Sequence, residues 1–349
     1  MTDERRAIWP RIIRRASTDF DEFARWVEGT EILRRMKGPC RAELTSADLG
    51  AVSITRWSHT APFIASSVVG ANQRVFFVQS YGGAPVLVNG HTLDERRILD
   101  HRPGAEIRIA SKPGPAVQII ELVVDPGELD RLCCPGPERG FGAVPRPSTV
   151  LEPEPGTLAA LRHVCASALA DPEDRLTPGG ANSPAALSEA VMRALVTAAN
   201  SGVQRGKGRE LARDLHARIV QHADHFMRAK PGEYVPLSAL CQATGVNPRQ
   251  LQRAFNEVYA CGPTRYQKLR RMHLARAFLR DPTRATTVTD VAISLGFYDL
   301  GRFATAYAAL FGESPSITLA RIRHTLPEHE RLVEPPERGE RPEGMSQST

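Results

Sequence analysis

At 349 residues the chain is long enough for two domains or three, each burying its own core. An apolar content of 42% and a charged content of 24% are ordinary for a globular protein, and no apolar run approaches the roughly 20 residues that a membrane span needs. The net charge of +6 is unevenly placed. Residues 230 to 323 hold 13 Lys and Arg against 6 Asp and Glu, which leaves the rest near neutral and points to a polyanion, nucleic acid first, as partner of the C-terminal third.

The N-terminus, Met1-Thr2-Asp3-Glu4-Arg5-Arg6, is mixed in sign with no apolar stretch behind it, so a secretory signal is not expected and a cytoplasmic protein is. Residues 18 to 36 carry apolar positions at helical spacing after a Thr/Asp cap signal, which predicts a helix. From residue 40 to 132 the period changes to two. Short strands are predicted at Val52 to Trp57, Val75-Phe76-Phe77-Val78, Pro85-Val86-Leu87-Val88, Ile107-Arg108-Ile109 and Val117 to Val124, with turns at Tyr81-Gly82-Gly83 and Asn89-Gly90. Such spacing suggests a small barrel or sandwich over residues 1 to 150. Its aromatic residues Trp57, Phe76, Phe77 and Tyr81 are candidates for the wall of an apolar effector pocket, beside the plainer reading that each is core.

After a Pro/Gly-rich connector, residues 157 to 167, 185 to 199 and 210 to 227 are helical patterns rich in Ala and Leu, so 151 to 228 reads as a helical linker and dimerisation segment. Beyond residue 326 the chain turns to Pro, Glu, Arg, Gly and Ser and is expected to be disordered. The six cysteines have no metal-ligand spacing beyond the adjacent Cys133-Cys134 and read as reduced thiols. His222 and His225, one helical turn apart, read as a solvated face. No phosphate-binding loop, nucleophile elbow or catalytic carboxylate pair is legible, so neither a catalytic residue nor a cofactor is expected.

The informative stretch runs from Leu237 to Phe255. Leu237, Leu240 and Cys241 form the buried stripe of a short helix, Gly245 stands where a tight turn needs positive φ, and Val246 plugs the space between two helices. Asn247 caps a second helix with Pro248 at its first position. Leu251 and Phe255 then face inward, which leaves Arg249, Gln252 and Arg253 together on the outer face, where forked donors and acceptors match base edges in a major groove. The pattern recurs from Val288 to Asp299, with Gly296 at the turn, Phe297 as plug, an acidic cap at Asp299, and Phe303 and Tyr307 facing inward. A patterned helix from Arg265 to Leu279 joins the two units.

Residues 231 to 323 resemble the AraC/XylS DNA-binding domain, through Leu240, Ala243, Gly245, Leu251, Arg253 and Phe255, then Arg271-Met272, Ala275 to Leu279, Val291-Ala292, Gly296-Phe297, Phe303, Tyr307, Phe311-Gly312 and Ser314-Pro315. The resemblance implies base reading by Arg249, Gln252 and Arg253 in the first unit and by Gly301, Arg302, Ala304 and Thr305, beside Leu300, in the second. Asn247, Gln250, Arg265 and Lys268 are the candidates for backbone contacts. The region before it is similar to the cupin-like effector domains of that family. Because His59, His91 and His101 are scattered, no metal is expected there.

The expected fold class is thus multidomain, α and β: an N-terminal cupin-like β-barrel with flanking helices, and a C-terminal all-α domain at 229 to 325 whose two helix-turn-helix units are joined by a long helix. The implied function is that of a sequence-specific transcription factor, a ligand-responsive activator. Its partners would be double-stranded promoter DNA, RNA polymerase, an unknown small-molecule effector and a second copy in a homodimer, with no membrane. Two alternatives stay open: a β-barrel enzyme fused to a DNA-targeting module, and a constitutive regulator whose N-terminal domain only dimerises.

Overall fold

The computed structural model describes residues 11–27, 29–132, 148–171, 183–202, 207–281, 283 and 287–325. The elements follow as β1 (Ile12–Ser17), α1 (Phe20–Trp26), β2 (Glu31–Arg34), β3 (Ala42–Asp48), β4 (Val52–His59), β5 (Phe63–Val68), β6 (Arg74–Gln79), β7 (Val86–Val88), β8 (His91–Leu93), β9 (Ile98–His101), β10 (Glu106–Ala110) and β11 (Val117–Val124). Then come α2 (Pro126–Leu132), β12 (Ser148–Leu151), α3 (Pro155–Ala168), α4 (Pro184–Ser201), α5 (Lys207–Arg228), α6 (Leu237–Thr244), α7 (Pro248–Tyr259), α8 (Pro263–Leu279), α9 (Val288–Ser294), α10 (Leu300–Phe311) and α11 (Pro315–Thr325).

The expected barrel takes the form of two antiparallel sheets and not one closed ring of paired strands among the described residues. The larger has the order β1-β3-β4-β11-β6-β9-β12 and the smaller β2-β5-β10-β7-β8. Alternation along β11 explains how they pack. Ile119 and Val117 point into an apolar layer between the sheets, with Trp57, Phe63, Phe77, Ile107 and Leu93. Ile120, Leu122 and Val124 point the other way, into a second core closed by α2, α3 and α4 through Leu129, Leu158, Leu161, Val191 and Leu195. Both faces of β11 are therefore buried, which is why its sequence is apolar almost throughout. The Asn89-Gly90 turn has φ of 49° and 81° and sets Val88 opposite His91, as a two-residue hairpin requires.

The helix expected over 18 to 36 is shorter. Asp19 caps α1 by accepting from the Asp21 amide, and Phe20 and Phe23 anchor it, but it ends at Trp26. Gly29 follows with φ of 70°, and residues 31 to 34 then pair with β5 as strand β2. Tertiary pairing overrides helical spacing there. The three predicted linker helices appear as α3, α4 and α5. The tail beyond 326 and Cys133-Cys134 lie outside the described residues.

Packing divides the chain into two units, Met1–Arg271 and Met272–Thr349, with the boundary inside α8. In the first unit, α5 and α7 cover the outer face of the smaller sheet. Arg228 of α5 bonds Asp224 at 2.8 Å, Ser66 at 2.9 Å and Glu31, and His225 reaches Glu106 at 2.8 Å. Arg35, at the end of β2, donates to the carbonyl oxygen of Ala260 at 2.8 Å. The first helix-turn-helix unit thus packs with the β-rich domain. In the second unit, α9, α10 and α11 bury Val291, Ala292, Phe303, Tyr307 and Leu310, and the Tyr307 hydroxyl donates to Thr318 Oγ1 at 2.9 Å.

Candidate nucleic-acid interface

In the first unit, α6 closes on Gly245, whose φ of 69° turns the chain into α7. Asn247 Oδ1 accepts from the Gln250 amide at 2.9 Å and Gln250 Oε1 from the Asn247 amide at 3.4 Å, a reciprocal capping box with Pro248 inside it. Both side chains are therefore committed to the cap. Leu251, Ala254, Phe255, Val258 and Tyr259 bury the inner face. Arg249, Gln252 and Arg253 are exposed together on the outer face, and Arg265 and Lys268 are exposed on α8.

Arg253 is not loose. Its Nε donates to Glu257 one turn on, at 3.0 Å, and the other oxygen of Glu257 meets His216 Nδ1 of α5 at 2.6 Å. Burial alone pushes the Glu257 carboxyl up, but the hydrogen bonds from His216 and Arg253 outweigh it and hold the group below its ordinary value. Arg253 is thus oriented by a carboxylate that is itself anchored to another helix.

The second unit repeats the design with shorter side chains. Thr287 and Asp290 form a capping box on α9, and Gly296 makes the turn with φ of 72°. Asp299 caps α10 by accepting from the Arg302 amide at 2.9 Å and also meets the Arg302 guanidinium at 3.2 Å. Arg302 is 91% exposed. Gly301 and Thr305 are exposed and Ala304 half-buried, with the Thr305 hydroxyl turned back onto the Gly301 carbonyl at 2.9 Å. Sequence reasoning passed over Tyr298, which is 83% exposed immediately before this helix. An exposed aromatic beside an N-cap was the signal available.

The four pocket candidates separate. Trp57 and Phe77 line a cavity of about 370 Å³ between the two sheets. Phe76 is a correction: alternation along β6 turns it to the opposite face, where it is fully buried in the core under the helices. Tyr81 is a second correction, 59% exposed on a turn with the Arg162 guanidinium 4.7 Å from its ring centroid. The cavity also holds a residue the sequence reading did not single out. Glu121 faces it from β11, takes a hydrogen bond from Trp57, and is pushed up to about 7 by burial. Alternation with Ile119 and Val123 was the clue to its inward direction.

Among the described residues no group of three or more His, Cys, Asp or Glu is placed to hold a metal. His59 stacks on Phe23 at 4.4 Å, donates from Nδ1 to the Ala61 carbonyl at 2.7 Å, and lies 3.5 Å from Cys40 Sγ. No helix among the described residues is long and apolar enough to cross a membrane.

The family model described as a helix-turn-helix domain matches residues 240–321. A XylDLEGF operon transcriptional activator of Pseudomonas putida is 32% identical over 107 residues, which cover 30% of this chain and 32% of that protein. Another, XylDLEGF operon transcriptional activator 2, is 35% identical over 104 residues, covering 30% of this chain and 64% of that one. A solved probable AraC family transcriptional regulator from Rhodopseudomonas palustris CGA009 is 33% identical, covers 30% of this chain and 97% of its own, and gives a TM-score of 0.29. The chain therefore spans about a third of the length of the first curated relatives it matches. The matched stretch is the one that holds both helix-turn-helix units, and over it the chain carries a helix-turn-helix domain similar to that of the XylS-type operon activators.

Proposed function

We propose that this chain is a ligand-responsive, sequence-specific transcription factor that grips double-stranded promoter DNA with α7 and α10. The observation that carries the reading is the outer face of α7, where Arg249, Gln252 and Arg253 stand exposed on a helix sealed beneath and capped at its start. Arg and Gln at such positions match the guanine and adenine edges of a major groove. Arg265, Lys268 and the capped helix starts supply phosphate contacts that set register. The cavity between the sheets supports an effector site, with Trp57 and Phe77 in its wall. Regulation by activation, through RNA polymerase, follows the relatives named as activators. A homodimer, with residues 151 to 228 contributing contacts, and a cytoplasmic location complete the proposal.

Selection of binding sites from a random double-stranded DNA pool by the full chain tests it. A defined motif, bound with affinity that falls steeply as salt rises, is the expected result. Recovery of an unenriched pool, or turnover of a small molecule by the purified chain, would speak for the enzyme alternative.

A further inference from the structure

We infer that the cavity between the two sheets binds a small aromatic amine, its ring held among the aromatic walls and its cationic nitrogen on the Glu121 carboxylate. The inference rests on reading that cavity as the effector site and names the chemistry it takes. Its wall is strongly aromatic, with Phe23 and Trp26 of α1 packed edge to face at 5.9 Å and Trp57 and Phe63 likewise at 5.8 Å. Electron-rich ring faces attract a desolvated cation as well as an apolar ring. Phe77 lies directly opposite Glu121 in the β6–β11 register, so a ligand nitrogen on the carboxylate has aromatic surface beside it.

Glu121 is the charged group best placed to meet a ligand in this cavity. Its exposed surface opens onto the cavity, and no cationic side chain among the described residues forms an ion pair with it. The Trp57 indole is the hydrogen-bond donor that it has. A carboxylate in such a site is costly unless a cation or further donors meet it. The other charged group on the wall, Arg15, is exposed on the edge strand β1, where solvent screens it. Thr55, paired with Glu121 across β4 and β11, and Ser46, paired with Thr55 across β3 and β4, add neutral hydrogen-bonding groups in the same row. An anionic ligand would find a like charge at the polar centre of this cavity. A neutral one would leave the carboxylate unmatched. The cavity volume of about 370 Å³ suits a one-ring or two-ring molecule.

Titration of the full chain with 2-phenylethylamine, 2-phenylethanol and 3-phenylpropionate at pH 8 tests the inference. Tryptophan fluorescence reports directly, since Trp26 and Trp57 stand in the wall, and calorimetry gives the affinity. The amine should bind saturably, at least tenfold tighter than the alcohol and more so than the acid. Glu121→Gln should lower amine affinity at least tenfold and leave the alcohol unchanged, which shows that the cavity is intact. Amine affinity should fall about tenfold for each pH unit below about 7, because Glu121 must lose its proton first. Equal or tighter binding of the acid or the alcohol, or amine binding indifferent to Glu121→Gln, overturns the amine assignment and leaves the cavity as an effector site. Failure of all three probes to bind overturns both.

Discussion

Arg253 stands six residues past the α7 cap Asn247 and Arg302 three past the α10 cap Asp299, and their surroundings differ as well. Glu257 holds Arg253 from below while His216 anchors Glu257, whereas Arg302 bonds only to its own cap Asp299 among the described pairs. Orientation before binding lowers the entropy lost on contact and favours a bidentate grip on one base. Arg253→Ala should therefore cost about 1–3 kcal/mol of DNA affinity and relax preference at one or two positions. Arg302→Ala should weaken all sequences by similar factors and lower the salt slope by about 1. Site selection with each variant, after circular dichroism has shown an intact fold, checks the pair. A stronger base preference in the half-site read by α10 would reverse this order. The Arg253–Glu257 contact was legible as an i, i+4 pair, but His216 lies 41 residues away and only folding brings it there.

At the level of elements, caps and turn residues do most of the local work. Asn247→Ala removes the α7 capping box and should destabilise the fold by about 1 kcal/mol. Gly245 sits at φ of 69° with open space around a would-be Cβ, so Gly245→Ala carries backbone strain of about 1–2 kcal/mol without a clash. Ala260 presents the converse. It ends α7 at φ of 52°, a conformation glycine adopts freely, so Ala260→Gly should stabilise by about 1 kcal/mol. Urea midpoints of the three variants check all three signs. The adjacent Phe76 and Phe77 make a sharper comparison. Phe76→Ala empties a fully buried site and should cost about 3–5 kcal/mol. Phe77→Ala should cost less and enlarge the cavity, since that ring already borders open space. Hydrophobicity alone treats the two as equals; strand direction, set by pairing with β11 and β9, decides which of them faces the cavity.

For the whole molecule, buried titratable groups in the β-rich domain set the response to pH. Burial pushes His59 and His91 down to about 4 and His101 to about 3, below the ordinary 6.5. Between about 6.5 and 4 the unfolded chain then binds more protons than the folded one, so stability should fall as pH falls through that window. Glu121 acts in the opposite sense. Its carboxyl is raised to about 7 in the folded state, so it favours folding most below about 4.5 and progressively less as pH rises toward 7. Three histidines outweigh one carboxyl, and net destabilisation on acidification is expected. Glu121→Gln removes the opposing contribution and should make the fall steeper. Urea midpoints taken from pH 8 to pH 4.5 for both proteins check the slopes.

The sequence by itself determined the two helix-turn-helix units, because their signals are local: a cap, a turn glycine, an inward i, i+4 pair and an outward polar face all fall within about 20 residues. It also determined the strand-rich character of the first third, through period-two alternation and the Asn89-Gly90 turn. Tertiary structure alone decided that residues 31 to 34 leave the helical pattern to pair with β5. It decided, too, that Glu121 rather than Phe76 or Tyr81 faces the cavity with Trp57, and that α7 packs with the β-rich domain. Those outcomes depend on pairing between segments far apart in the chain. The direction of a strand residue and the burial of a lone carboxyl are set by partners that local spacing does not name.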